Sequence, residues 1–103
     1  MKIHERILAT LYLKSKIDIQ NIFLKVSIRE IAVITMYMNL VEKEKIYKYL
    51  PKEKLLKVRE ESFFIKNLNI NYITYEEICK KILSYLNNNN NFSHKSYIRP
   101  KKY

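Results

Sequence analysis

Ser27-Ile28-Arg29-Glu30-Ile31-Ala32-Val33-Ile34-Thr35-Met36-Tyr37-Met38-Asn39-Leu40 holds the densest apolar run of the chain. It opens with a hydroxyl at Ser27 and a carboxylate three residues on at Glu30, a capping-box pattern that satisfies two N–H groups at a helix start. The spacing therefore predicts a helix over 28–40. Such a helix is apolar nearly all round, so it must be central and covered on most sides. A β-strand is the competing assignment for 31–37, because Val, Ile, Thr and Tyr favour strands.

Toward the amino terminus, residues 2–14 read as an amphipathic helix with Ile3, Ile7, Leu8, Leu11 and Tyr12 on one face. Residues 15–26 either continue that face through Ile19, Ile22, Phe23 and Val26, or break at Ile17-Asp18-Ile19. No Gly or Pro marks a boundary there. Toward the carboxyl terminus, a short helix over 42–50 turns Ile46, Tyr49 and Leu50 inward. Pro51 suits the first turn of the next helix, where its missing N–H costs nothing. That helix runs over 51–65 on Leu55, Leu56, Val58 and Phe63. Residues 68–72 read as a loop or short extended piece. Thr74 and Glu77 form a second capping box, opening a helix to 86 carried by Ile78, Ile82, Tyr85 and Leu86. Asn87 to Asn91 compete for backbone hydrogen bonds and end regular structure. The expected fold is all-α, a compact bundle or short superhelix of about four to six helices over 1–86. In it, 28–40 is covered by 2–14, 51–65 and 74–86. An Asn-rich linker and flexible basic tail, 87–103, would follow.

The composition has a direction. Gly is absent and only four Arg stand against 16 Lys, with 15 Ile, 10 Asn and 9 Tyr. The favoured residues have A/T-rich codons, which implies an A/T-rich genome. A net charge of +10 points to a polyanionic partner, although codon drift supplies part of the lysine. Residues 92–103 contain no acid and hold +4 of that charge through Lys95, Arg99, Lys101 and Lys102. With Tyr97 and Tyr103 interleaved, these are the candidates for contacting a polyanion, since Lys and Arg neutralise phosphates and Tyr stacks on unpaired bases. The start of the chain carries Glu5 and Arg6 where a signal peptide needs an apolar run, and no stretch approaches the roughly 20 apolar residues of a membrane span. A cytoplasmic or organelle-interior protein, not a secreted one, is expected.

Chemistry-bearing residues are few: two His, one Cys and one Asp. Glu60-Glu61 and Glu76-Glu77 are neighbours on helices and diverge by about 100°, so neither is a ready acid/base dyad. Cys79 with His4 or His94 has no metal-ligand spacing. Without Gly, phosphate-cradling loops that need close backbone approach are excluded. No enzyme activity, metal or cofactor is expected.

Two larger patterns compete. Segment 8–46 can be read as a helix-turn-helix, with a second helix near 19–25 and a third from Ser27. A recognition helix needs polar side chains for the groove, and 31–38 is almost wholly apolar. The second pattern runs from Arg29-Glu30-Ile31-Ala32-Val33-Ile34 through Leu40-Val41-Glu42-Lys43 and Ile46-Tyr47-Lys48-Tyr49-Leu50-Pro51-Lys52-Glu53 to Ile73-Thr74-Tyr75-Glu76-Glu77-Ile78. This order over 29–86 resembles the amino-terminal domain of the flagellar motor switch protein FliG and the helical domain of the magnesium transporter MgtE, with Asn39 where that family usually has Gly. The resemblance implies a small helical superhelix that clasps a partner's helix, without enzyme activity. The function expected is thus a non-catalytic binding or assembly module that docks an amphipathic partner helix. Ile46, Tyr49, Leu55, Phe63 and Phe64 are its groove candidates. The alternative is a small basic nucleic-acid-binding protein, either a helix-turn-helix regulator or a ribosome-associated component.

Overall fold

Ser27 and Glu30 make both hydrogen bonds their spacing implies: the Glu30 N–H donates to Ser27 Oγ and the Ser27 N–H to Glu30 Oε1, each at 3.1 Å. The computed structural model describes residues 2–92, which fold into α1 (Ile3–Tyr12), α2 (Lys16–Lys25), α3 (Ile28–Thr35), α4 (Leu40–Tyr47), α5 (Lys52–Ile65) and α6 (Tyr72–Phe92). No strand occurs among the described residues, so the apolar segment after Ser27 is helical.

That segment is one helix only as far as Thr35. Thr35 Oγ1 donates back to the Ile31 and Ala32 carbonyls at 3.0 and 3.1 Å. The Met36 and Met38 N–H groups then close tighter three-residue turns onto Val33 and Thr35. Asn39 restarts the helix. Its Oδ1 accepts from the Glu42 N–H at 2.9 Å, and the Glu42 carboxylate accepts from the Asn39 N–H at 3.0 Å. Asn39-Leu40-Val41-Glu42 is therefore a capping box that the unbroken apolar reading passed over.

Other boundaries follow the same chemistry. Ser15 Oγ accepts from the Asp18 N–H at 3.2 Å, so 15–26 is neither an extension of α1 nor a strand but a separate helix with a hydroxyl cap. Pro51 stands just before α5 and its carbonyl accepts from the Leu55 N–H. Asn71 Oδ1 caps the Thr74 N–H at 2.8 Å, which moves the start of α6 upstream of the expected Thr74 box. That helix also runs through the asparagines to Phe92 instead of stopping at 86.

The core is one cluster of buried side chains drawn from all six helices. Ile31, Ala32, Val33 and Ile34 are fully buried, and α3 packs chiefly on α5 and then on α6. Expected to lie across α3, α1 instead packs mainly on α6 and touches α4. Two ion pairs anchor the first turn of α3. Arg29 reaches Glu61 on α5, and Glu30 Oε2 accepts from Lys81 Nζ on α6 at 2.6 Å. A third tie comes from Lys54 on α5. Its ammonium donates to the Phe23, Leu24 and Val26 carbonyls, at 2.6, 3.3 and 2.8 Å, satisfying acceptors that the end of α2 leaves without intrahelical partners.

Periodicity placed Tyr12, Leu56, Phe63 and Tyr85 inward, and all four are exposed. On α5 the buried residues are Val58 and Ile65, with Leu55 half-buried beside them.

Candidate binding surfaces

A helix that buries one apolar stripe normally shows water a polar one. α5 departs from that rule. Val58 and Ile65, two turns apart, face the core, while Leu56 and Phe63, also two turns apart, face out, and Phe64 is exposed about 100° round the helix from Phe63. Phe63 is 73% exposed and Phe64 67%. At 100° per residue, the exposed Lys52 and Arg59 run along one edge of this outer stripe and the exposed Glu53 and Glu60 along the other. The surface is thus an apolar ridge with a basic and an acidic margin.

The five residues expected to form one groove are not brought together as such. Ile46 is fully buried in the core, and Leu55 is half-buried against it. Tyr49 packs partly on the core at the far end of α4, where it lines a different depression. Of the five, only Phe63 and Phe64 are open to solvent, on adjacent sides of α5. Lys95, Tyr97, Arg99, Lys101, Lys102 and Tyr103 lie outside the described residues.

A second surface was not legible from sequence. Three shallow depressions adjoin one another. The first and second share Lys48 and Tyr49, and the second and third share Leu24 and Pro51. Together they form a trough along the ends of α1 and α4, the outer side of α2 and the start of α5. Lys25, Lys45, Lys48, Lys54 and Lys57 line it, against Glu53 alone among acids. Five bases and one acid give the trough a net +4 out of the chain's +10. Lys54 is committed to the α2 carbonyls, and burial pushes its ammonium below the usual lysine value. Lys45 stands 5.9 Å from the centre of the Tyr12 ring and Lys48 5.2 Å from that of Tyr49, distances of cation–π contact.

Compared with protein-family models, with curated proteins and with solved structures, the chain matches none of them. Its surfaces therefore have to be read from their own chemistry.

The remaining reactive groups are inward. The Cys79 thiol is buried, and burial pushes it up to about 11, so it is protonated at neutral pH and a poor nucleophile. Beside it, the Tyr75 hydroxyl is buried without a hydrogen-bond partner, and desolvation raises its pKa strongly. Tyr37 and Tyr72 pack on the Tyr75 ring at 4.7 and 5.4 Å between centroids. His4 is buried with Nε2 3.5 Å from Glu42, joining α1 to α4. No group of three His, Cys, Asp or Glu side chains with metal-holding geometry occurs among the described residues. Nor is any helix there long and apolar enough to cross a membrane.

Proposed function

We propose that this chain is a non-catalytic docking module that receives an amphipathic helix of a partner protein along the outer face of α5. The carrying observation is the pair Phe63 and Phe64, two large aromatic side chains left open on a helix whose other side already fills the core. Exposed aromatic clusters of this kind supply the anchors of protein interfaces. An amphipathic partner helix laid along Leu56 and Phe63 would bury the ridge by side-by-side helix packing. The margins set its orientation: acids toward Lys52 and Arg59, bases toward Glu53 and Glu60. The order of capped helices over 29–86, which resembles domains that clasp a partner's helix, supports the same reading. The helix-turn-helix alternative has less support, because α3 is buried from Ile31 to Thr35 and its two charged side chains, Arg29 and Glu30, are tied to Glu61 and Lys81.

The test is a photo-crosslinker in place of Phe64 in the full chain, added to a native lysate. Crosslinked peptides are sequenced, then synthesised and titrated. The reading expects a helical segment with an apolar stripe, bound at least tenfold more weakly by Phe63→Asp and nearly independent of salt. Crosslinks only to a second copy of this chain, or a peptide bound equally well by Phe63→Asp, would refute it.

A further inference from the structure

We infer that the lysine-lined trough, which meets the α5 ridge at Glu53, binds single-stranded nucleic acid. Three observations converge. The trough holds a net +4, a density that attracts a phosphate chain. It carries two aromatic rings, Tyr12 at the end of α1, 81% exposed, and Tyr49 in the turn after α4, half-buried against the core. Each ring has a lysine ammonium over one face, Lys45 at 5.9 Å and Lys48 at 5.2 Å from the ring centre, so a base stacking there takes the ammonium's place and frees it for the phosphate. That is the alternation a single strand requires, a ring for the base and a cation for its phosphate. A duplex keeps its bases stacked on each other and has no use for the rings. An acidic peptide would use the lysines but gains little from an open ring such as Tyr12. Lys57, on α5, extends the positive edge, and Gln20 and Asn21 add amide donors and acceptors next to Tyr49. The A/T-rich codon drift that enriches lysine throughout the chain does not explain why five of them line one trough with a single acid.

The probe is a fluorescein-labelled dodecamer of deoxythymidine, titrated with the full chain and followed by anisotropy across a salt series. Circular dichroism checks that each variant is folded. Lys45→Gln/Lys48→Gln/Lys57→Gln is expected to weaken binding at least tenfold. It should also lower the slope of log affinity against log salt by about 2, since each phosphate contact on a single strand contributes about 0.7. Tyr12→Ser is expected to weaken binding about tenfold with the slope unchanged, because stacking releases no counterions. Lys16→Gln/Lys66→Gln/Lys80→Gln removes the same charge elsewhere and should cost less than threefold. The inference is overturned if this control loses as much as the trough variant, or if Tyr12→Ser binds like the parent. It is equally overturned if poly-glutamate or the corresponding duplex displaces the probe as well as the unlabelled strand does.

Discussion

The Lys54 ammonium lies 2.6 Å from the Phe23 carbonyl oxygen, so a charged side chain of α5 closes the carboxyl end of α2. Lys54→Met keeps the aliphatic stem and removes the donors to three carbonyls. With hydrogen bonds to charged groups contributing about 1.5–3 kcal/mol, the variant should lose about 2 kcal/mol in urea unfolding. An unchanged midpoint would mean that water serves these carbonyls equally well.

Glu30 joins α3 to α6, and its carboxyl is held below the usual carboxylate range, first by the Lys81 hydrogen bond and then by the Ser27 N–H. A carboxylate with a depressed folded value stabilises the fold above its unfolded value, near 4.5, and loses that contribution as pH falls through the folded value. Glu30→Gln should therefore be less stable than the parent at pH 7, by about 1 kcal/mol on the strength of the helix cap. The two stability curves should converge as pH falls from 4.5 through the lowered folded value. A gap that stays constant down to pH 3 would assign the effect to packing.

Capping explains much of what the sequence did and did not disclose. The start of α3 was legible because Ser27 and Glu30 stand before an apolar run. Asn39-x-x-Glu42 and Ser15-x-x-Asp18 carry the same chemistry but sit inside or beside apolar residues that read as continuous, so the ends of α1 and α3 were misplaced. Thr74 with Glu77 looked like the better box, yet the Asn71 side chain reaches the Thr74 N–H first and begins α6 a turn earlier. On α5, Val58 and Phe63 differ little in hydropathy. Which one faces the core depends on α3 lying on that side, and no periodicity within 51–65 records it. The trough was hidden for a related reason: Tyr12, Lys45, Leu24 and Lys57 come from four helices and meet only in three dimensions.

The Tyr75 hydroxyl is buried with no partner, a state that costs about 1–3 kcal/mol of desolvation. Tyr75→Phe keeps the ring that packs on Tyr37 and Tyr72 and deletes the orphaned oxygen. It should gain about 1 kcal/mol in urea unfolding, and a loss of that size would reveal a hydrogen bond, for instance to the neighbouring Cys79 thiol.

Cys79 itself should resist alkylation. With its thiol pushed up to about 11, only about one molecule in a thousand is thiolate at pH 8. Iodoacetamide should label the native chain at least a hundredfold more slowly than the urea-unfolded one. A thiol whose folded value is raised also favours the fold at low pH and loses that contribution above its ordinary value of 9.0. The parent should accordingly lose more stability than Cys79→Ala between pH 9 and 11, and parallel curves would contradict the burial of this sulfur.

The division of α5 into a core side and a docking side is most directly tested by equilibrium urea unfolding of two variants. Val58→Ala should fall by about 2 kcal/mol, the loss expected for truncating a buried aliphatic residue. Phe63→Ser/Phe64→Ser should stay within about 0.5 kcal/mol of the parent, as surface substitutions do. If removing the two phenylalanines destabilises the chain as much as truncating Val58, those rings belong to the core and α5 has no free face to offer.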